Sequence, residues 1–65
     1  MRIELNGEPV ETLAETLEAL IDERGVEAEA VATAVGGSFV PRSARAATAL
    51  QPGAKVEILA PMQGG

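Results

Sequence analysis

Few residues in this chain have the chemistry to do anything unusual, and the most distinctive are the last two, Gly64-Gly65. At a glycine frequency of roughly 7 %, a terminal pair arises by chance about once in 200 chains. Glycine has no side chain, so such an end threads a narrow channel and takes any φ/ψ inside an enzyme's active site. From Ala60 to Gly65 the chain extends about 17 Å, at roughly 3.3–3.6 Å per residue, enough to carry a carboxylate to a buried nucleotide. The Gly65 carboxylate is therefore the candidate reactive group, and Gly64, Gln63 and Met62 are the residues that have to thread.

The remaining inventory argues against a self-sufficient enzyme. Ser38 and Ser43 are the only serines, and there is no His to activate either. With no Cys there is no thiol nucleophile, disulfide or thiolate metal site, and with neither Cys nor His no metal site is expected. Glu11, Glu15, Glu18 and Asp22 fall on one helical face and read as solvated surface, with recognition of a partner as the sharper alternative. Gly36-Gly37 precedes a strand, not a helix N-terminus, and lacks a following Lys, so it is not a phosphate loop. The chain has 65 residues, and its core must come from Val, Leu and Ile, because Phe39 is the only aromatic. Fixing so short a chain costs on the order of 100 kcal/mol of conformational entropy, at roughly 1.5 kcal/mol per residue, which leaves little room for a substrate pocket.

Charge narrows the partners. The net charge is −5, and residues 1–30 hold nine of the ten acids. An acidic chain without stacking aromatics suits neither nucleic acid nor an anionic membrane. There is no run of 18 apolar residues and no apolar segment behind Met1-Arg2-Ile3-Glu4, so neither a membrane span nor a signal peptide is expected. The expectation is a soluble cytoplasmic protein.

These residues need elements to hold them. Met1, Ile3 and Leu5 alternate with polar residues as in a half-buried strand. Asn6-Gly7 is a strong two-residue hairpin signal, and Pro9-Val10-Glu11 reads as a return strand at a sheet edge, since Pro9 lacks an N–H. Thr12-Leu13-Ala14-Glu15 matches a capping box and predicts a helix over about 13–24, with Leu13, Leu17, Leu20 and Ile21 as its apolar stripe. Arg24 suits the last turn and Gly25 the residue after it. A connector over 26–30 leads to a strand over 31–35, the Gly36-Gly37 turn and a return strand over 38–40. A short helical turn over 44–50 and the Gln51-Pro52-Gly53 turn follow. The last strand spans 55–60, with Val56, Ile58 and Ala60 on one face.

A single helical stripe needs one apolar sheet face to cover it, and the last strand needs a central partner, for which strand 1 in parallel is the natural choice. The predicted fold is α+β: a β-grasp, with a mixed sheet of four to five strands and one main helix on one face. A small open barrel and a plain α+β meander are the alternatives. Residues 1–60 form the domain and 61–65 a flexible C-terminal tail.

Against this background the whole chain resembles the ThiS family, the ubiquitin-like sulfur carriers of bacterial thiamine thiazole synthesis. The resemblance rests on the first strand with Asn6-Gly7, on Thr12, Leu17 and Leu20, on 31–35 through Phe39-Val40-Pro41-Arg42, and above all on 53–65 with its terminal Gly64-Gly65. Gly36 stands where the family commonly has Asn, and Gly53-Ala54 where it commonly has Gly-Asp. The resemblance implies a protein co-substrate, not an enzyme, that binds no cofactor of its own. A ThiF-type adenylating enzyme would use Mg-ATP to adenylate the Gly65 carboxylate. A sulfur donor such as a cysteine desulfurase would then supply the sulfur for a thiocarboxylate, and a ThiG-type thiazole synthase would consume it. Service to molybdopterin or tRNA thiolation, a ubiquitin-like modifier, and a non-covalent interaction module are the competing readings.

Recognition of such partners needs a rigid face beside the tail. Leu59 breaks the alternation of the last strand and is expected to point away from the helix, where it forms an apolar patch with Ala32 and Ala34. Arg42 and Arg45 are second candidates, as partners for acids on an activating enzyme.

Overall fold

The computed structural model describes residues 1–60. Residues 61–65 lie outside the described residues, and with them the expected flexible tail and the threading positions Met62, Gln63, Gly64 and Gly65. Five strands form one mixed sheet: β1 (Arg2–Leu5), β2 (Glu8–Glu11), β3 (Ala32–Val35), β4 (Ser38–Val40) and β5 (Lys55–Leu59). Their order is β2-β1-β5-β3-β4, with β1 and β5 parallel and the other neighbours antiparallel. This is the predicted β-grasp arrangement, with β5 central and the Pro9 strand at an edge.

Local chemistry explains the hairpins. Asn6 and Gly7 have φ of 50° and 84°, and Gly36 and Gly37 have φ of 60° and 82°. Both central residues of a type I′ turn need this left-handed region, which Gly and Asn tolerate best.

One helix, α1 (Leu17–Arg24), crosses one face of the sheet and is shorter than the sequence predicts. The capping box at Thr12 does not form. The Thr12 backbone is still paired to the first strand, its N–H donating to the Met1 carbonyl at 2.9 Å. Its hydroxyl accepts from the Ala14 N–H and donates to the Glu23 carboxylate. The residues that follow pair with the far end of the chain. The Leu17 N–H donates to the Thr48 carbonyl and the Leu50 N–H to the Glu15 carbonyl, both at 2.9 Å. That tertiary pairing holds Thr16 extended, bridged to Ala49, so the helix starts one turn later. There the Thr16 hydroxyl accepts from the Ala19 N–H at 3.1 Å and caps it. Leu13, assigned to the helical stripe, is outside the helix and 92 % exposed, while Ala14 takes a place in the core. At the other end Gly25 closes α1 in the left-handed region, as predicted.

The core is Ile3, Ala14, Leu17, Leu20, Ile21, Val40, Leu50 and Val56, with Met1, Leu5, Val10 and Ile58 packed against it. Two 3-10 turns, Ala28–Ala30 and Arg42–Ala47, close the ends of the helix layer. The second lies slightly ahead of the helical turn expected over 44–50. Ala60 falls beyond β5 and is exposed, so it does not continue the face of Val56 and Ile58. Among the described residues no helix is long and apolar enough to cross a membrane.

Candidate functional site

The open face of the sheet carries the apolar patch. Thr33 faces the helix layer and is buried, so its neighbours Ala32 and Ala34 must point the other way, because successive side chains of a strand alternate. The register sets Ala32 opposite Leu59 and Ala34 opposite Glu57. On the other side of β3, Ala34 lies opposite Phe39. Leu59 is 57 % exposed and Phe39 70 % exposed, whereas Val56, on the helix side of the same strand as Leu59, is buried.

The structure thus brings Leu59, Ala32 and Ala34 together, as expected, and adds Phe39. The signal for Phe39 was present in the sequence. In Ser38-Phe39-Val40 an inward Val40 requires an outward Phe39 on a period of two. The two small alanines lie between the two large side chains, giving a shallow surface with a bulky apolar group on each flank. Lys55 and Glu57 share the Leu59 face of β5 and are exposed. At the end of the patch a groove of about 280 Å³ is lined by Glu29, Ala30, Val31, Ala32, Leu59 and Ala60. The patch and the groove therefore share Ala32 and Leu59, and the groove runs on to Ala60, which Pro61 follows in the sequence.

The two arginines part company. Arg42 is exposed and its guanidinium lies 3.5 Å from the Glu29 carboxylate. It opens onto a cleft of about 540 Å³ between α1 and the Arg42–Ala47 turn, with Glu18 and Asp22, and not onto the face that holds Leu59. Arg45 is not a surface contact at all. It is buried, and its guanidinium donates to the Thr33 hydroxyl at 3.0 Å, the Ala28 carbonyl at 2.8 Å and the Val31 carbonyl at 2.7 Å. The Thr33 hydroxyl in turn donates to the Val40 carbonyl at 2.8 Å. The rigid five-donor fork of Arg suits three separate oxygens, and it ties the Arg42–Ala47 turn to the entry of β3. Arg45 is therefore a structural tie beneath the sheet, and its expected role toward a partner's acids is withdrawn.

Away from the patch, Glu23 is the one carboxyl among the described residues held clearly below its ordinary value. The Thr12 hydroxyl, donating at 2.5 Å, is the main cause, followed by the Leu13 N–H at 3.1 Å. Both bonds favour the charged form and pin the segment before α1. Among the described residues no three His, Cys, Asp or Glu side chains gather to hold a metal ion. What the described residues offer chemically is an apolar face and a groove that reaches Ala60.

Comparison with known proteins agrees over the full length. The ThiS family model matches residues 2–65. The crystal structure of a thiamine biosynthesis protein (ThiS) from Geobacter metallireducens is similar with a TM-score of 0.84 and 33 % sequence identity, over 100 % of both chains. The NMR solution structure of a thiamine biosynthesis protein from the same organism is similar with a TM-score of 0.82 and 33 % identity, over 100 % of this chain and 88 % of that one. Among curated proteins no match was found.

Proposed function

The chain belongs to the ThiS family, and on that footing we propose that it is a sulfur carrier of thiamine biosynthesis whose cargo is a thiocarboxylate on Gly65. The observation that supports this most is the family match itself, which runs from residue 2 through Gly64-Gly65. The apolar patch beside Ala60 adds a physical reason. A carrier must hand its terminus to successive enzymes, and a preformed face at the root of the tail lets each grip it in one orientation.

The chemistry divides between the chain and its partners. A carboxylate is a poor electrophile until its oxygen is made a leaving group. A ThiF-type adenylating enzyme with Mg-ATP does this. The Gly65 carboxylate attacks the α-phosphorus, pyrophosphate leaves, and an acyl-adenylate forms. A persulfide on a donor such as a cysteine desulfurase then displaces AMP to give an acyl disulfide, and a second thiol, oxidised to a disulfide with the donor cysteine, releases the thiocarboxylate. A ThiG-type thiazole synthase takes up that sulfur. This chain supplies the handle, with Leu59, Ala32, Ala34 and Phe39 as the docking patch, and the enzymes supply the nucleotide chemistry. The lack of cysteine in the chain is compatible with this role, since no internal thiolate intercepts the activated carboxyl.

The test is pyrophosphate release from Mg-ATP in the presence of a ThiF-type enzyme. The full chain is expected to support it, and the chain lacking Gly65 to support none. Equal release from the two refutes the reading. Chain-sized adducts on lysines of other proteins, in place of sulfur on Gly65, would mark a ubiquitin-like modifier.

A further inference from the structure

We infer that Asn6 is a positioning residue for the carrier terminus, its side-chain amide taking the place of one peptide of β1 and fixing the direction in which the chain leaves β5. The inference rests on the carrier reading above and adds to it how the domain aims its tail.

The parallel ladder between β1 and β5 stops short. The Glu4 N–H donates to the Ala54 carbonyl at 2.8 Å and the Asn6 N–H to the Val56 carbonyl at 2.9 Å. The next rung falls on Ile58, but β1 has already turned away, with Asn6 at φ 50° and Gly7 at φ 84°. The Asn6 side chain fills that rung. The Ile58 N–H donates to Asn6 Oδ1 at 2.9 Å, and Asn6 Nδ2 donates to the Ile58 carbonyl at 3.1 Å, across 52 residues of sequence.

The other flank of β5 does not duplicate this contact. The Gly36 N–H donates to the Lys55 carbonyl, so Lys55, Glu57 and Leu59 address β3 with their backbone groups. Strand backbones alternate, and Ile58 therefore faces the β1 side, where Asn6 meets both of its groups. The last residues of β5 are held by β3 on one side and by a single side chain on the other.

The side-chain type matters for two separable reasons. A left-handed φ at position 6 is met by Gly, Asn or Asp. Only Asn among these offers an acceptor and a donor together at that reach. Gly keeps the turn and loses the clamp. Asp keeps the acceptor but sets a second oxygen against the Ile58 carbonyl.

Asn6→Gly and Asn6→Asp test this in the full chain with a ThiF-type enzyme and Mg-ATP. Both are expected to keep the amide spectrum of the fold and a dissociation constant within about twofold of wild type, because the docking patch is untouched. Amide exchange at Ile58 should accelerate in Asn6→Gly, which removes the acceptor of its N–H, and kcat for adenylation should fall about tenfold in both variants, since a tail of wider orientation reaches the nucleotide less often. Gly37→Ala, strained at φ 82° in the turn at the far end of β5, is the control for lost stability alone and should keep the wild-type kcat. Wild-type kcat in both Asn6 variants, unchanged exchange at Ile58 in Asn6→Gly, or an equal loss in Gly37→Ala overturns the role of Asn6. A wild-type chain that forms no acyl-adenylate overturns the carrier reading, and this role with it.

Discussion

Replacing Leu59 with Asp should separate docking from folding. Burying a whole leucine side chain is worth about 1.5–3 kcal/mol. Leu59 is 57 % exposed in the free domain, so docking has about 0.9–1.7 kcal/mol of that still to gain. A carboxylate at the same place forfeits this gain and must itself be desolvated against Ala32 and the partner, adding roughly 1 kcal/mol or more. The expected loss is about 2–3 kcal/mol, or roughly 30- to 150-fold in the dissociation constant for the adenylating enzyme. Folding should suffer far less. Position 59 is the last residue of β5, and exchanges of strand residue types span about 1 kcal/mol. Titration calorimetry gives the dissociation constant, circular dichroism the fold, and pyrophosphate release at saturation the kcat, which should stay near wild type. A dissociation constant within twofold of wild type in a folded Leu59→Asp chain would refute the assignment of this face.

Other outcomes follow from the same contacts. Arg45→Ala strips the Ala28 and Val31 carbonyls of their guanidinium donor; at about 1–3 kcal/mol for each unsatisfied group the loss is about 2–6 kcal/mol. A domain of this size has on the order of 3–10 kcal/mol in total, so urea denaturation should show a much lowered midpoint, and a loss under about 1 kcal/mol would contradict the burial of a working guanidinium. Glu23 titrates below its ordinary 4.5 in the folded chain, chiefly because of the Thr12 hydroxyl. A depressed carboxyl stabilises the fold above its unfolded value and loses that effect as pH falls through its folded value. Wild type should therefore lose part of its stability on acidification below about pH 4.5, and Glu23→Gln should lack that part of the fall; parallel pH profiles for the two would refute the link.

Much of this fold is written in local signals. Asn6-Gly7 and Gly36-Gly37 specify two hairpins because few other residue pairs accept two consecutive left-handed conformations. The outward Leu59 follows from a broken alternation, and the docking patch follows from Leu59 once β3 is placed beside β5. What stayed hidden depends on partners far away in the chain. Thr12 fits a capping box by spacing, yet its backbone belongs to the sheet and its hydroxyl to Glu23, eleven residues on. Leu13 keeps helical spacing with Leu17, but the pairing of 15–17 with 48–50 puts it in solvent. Arg45 reads as surface charge because arginine is so rarely buried, and only the convergence of Ala28, Val31 and Thr33 reveals its place. Asn6 is legible as a turn residue, and the second use of its side chain appears only when β5 lies alongside.

The central claim, sulfur carried on Gly65, has a direct measurement. The chain contains no cysteine, so a thiol-selective alkylating reagent at neutral pH finds no other sulfur nucleophile of comparable reactivity. Intact and fragment mass spectrometry of the chain purified from its own cells, before and after such alkylation, should show one oxygen exchanged for sulfur and one alkyl group added, both on the C-terminal fragment that ends in Gly65. A chain that stays unalkylated, with an unmodified C-terminal fragment under conditions of active thiamine synthesis, would contradict the account.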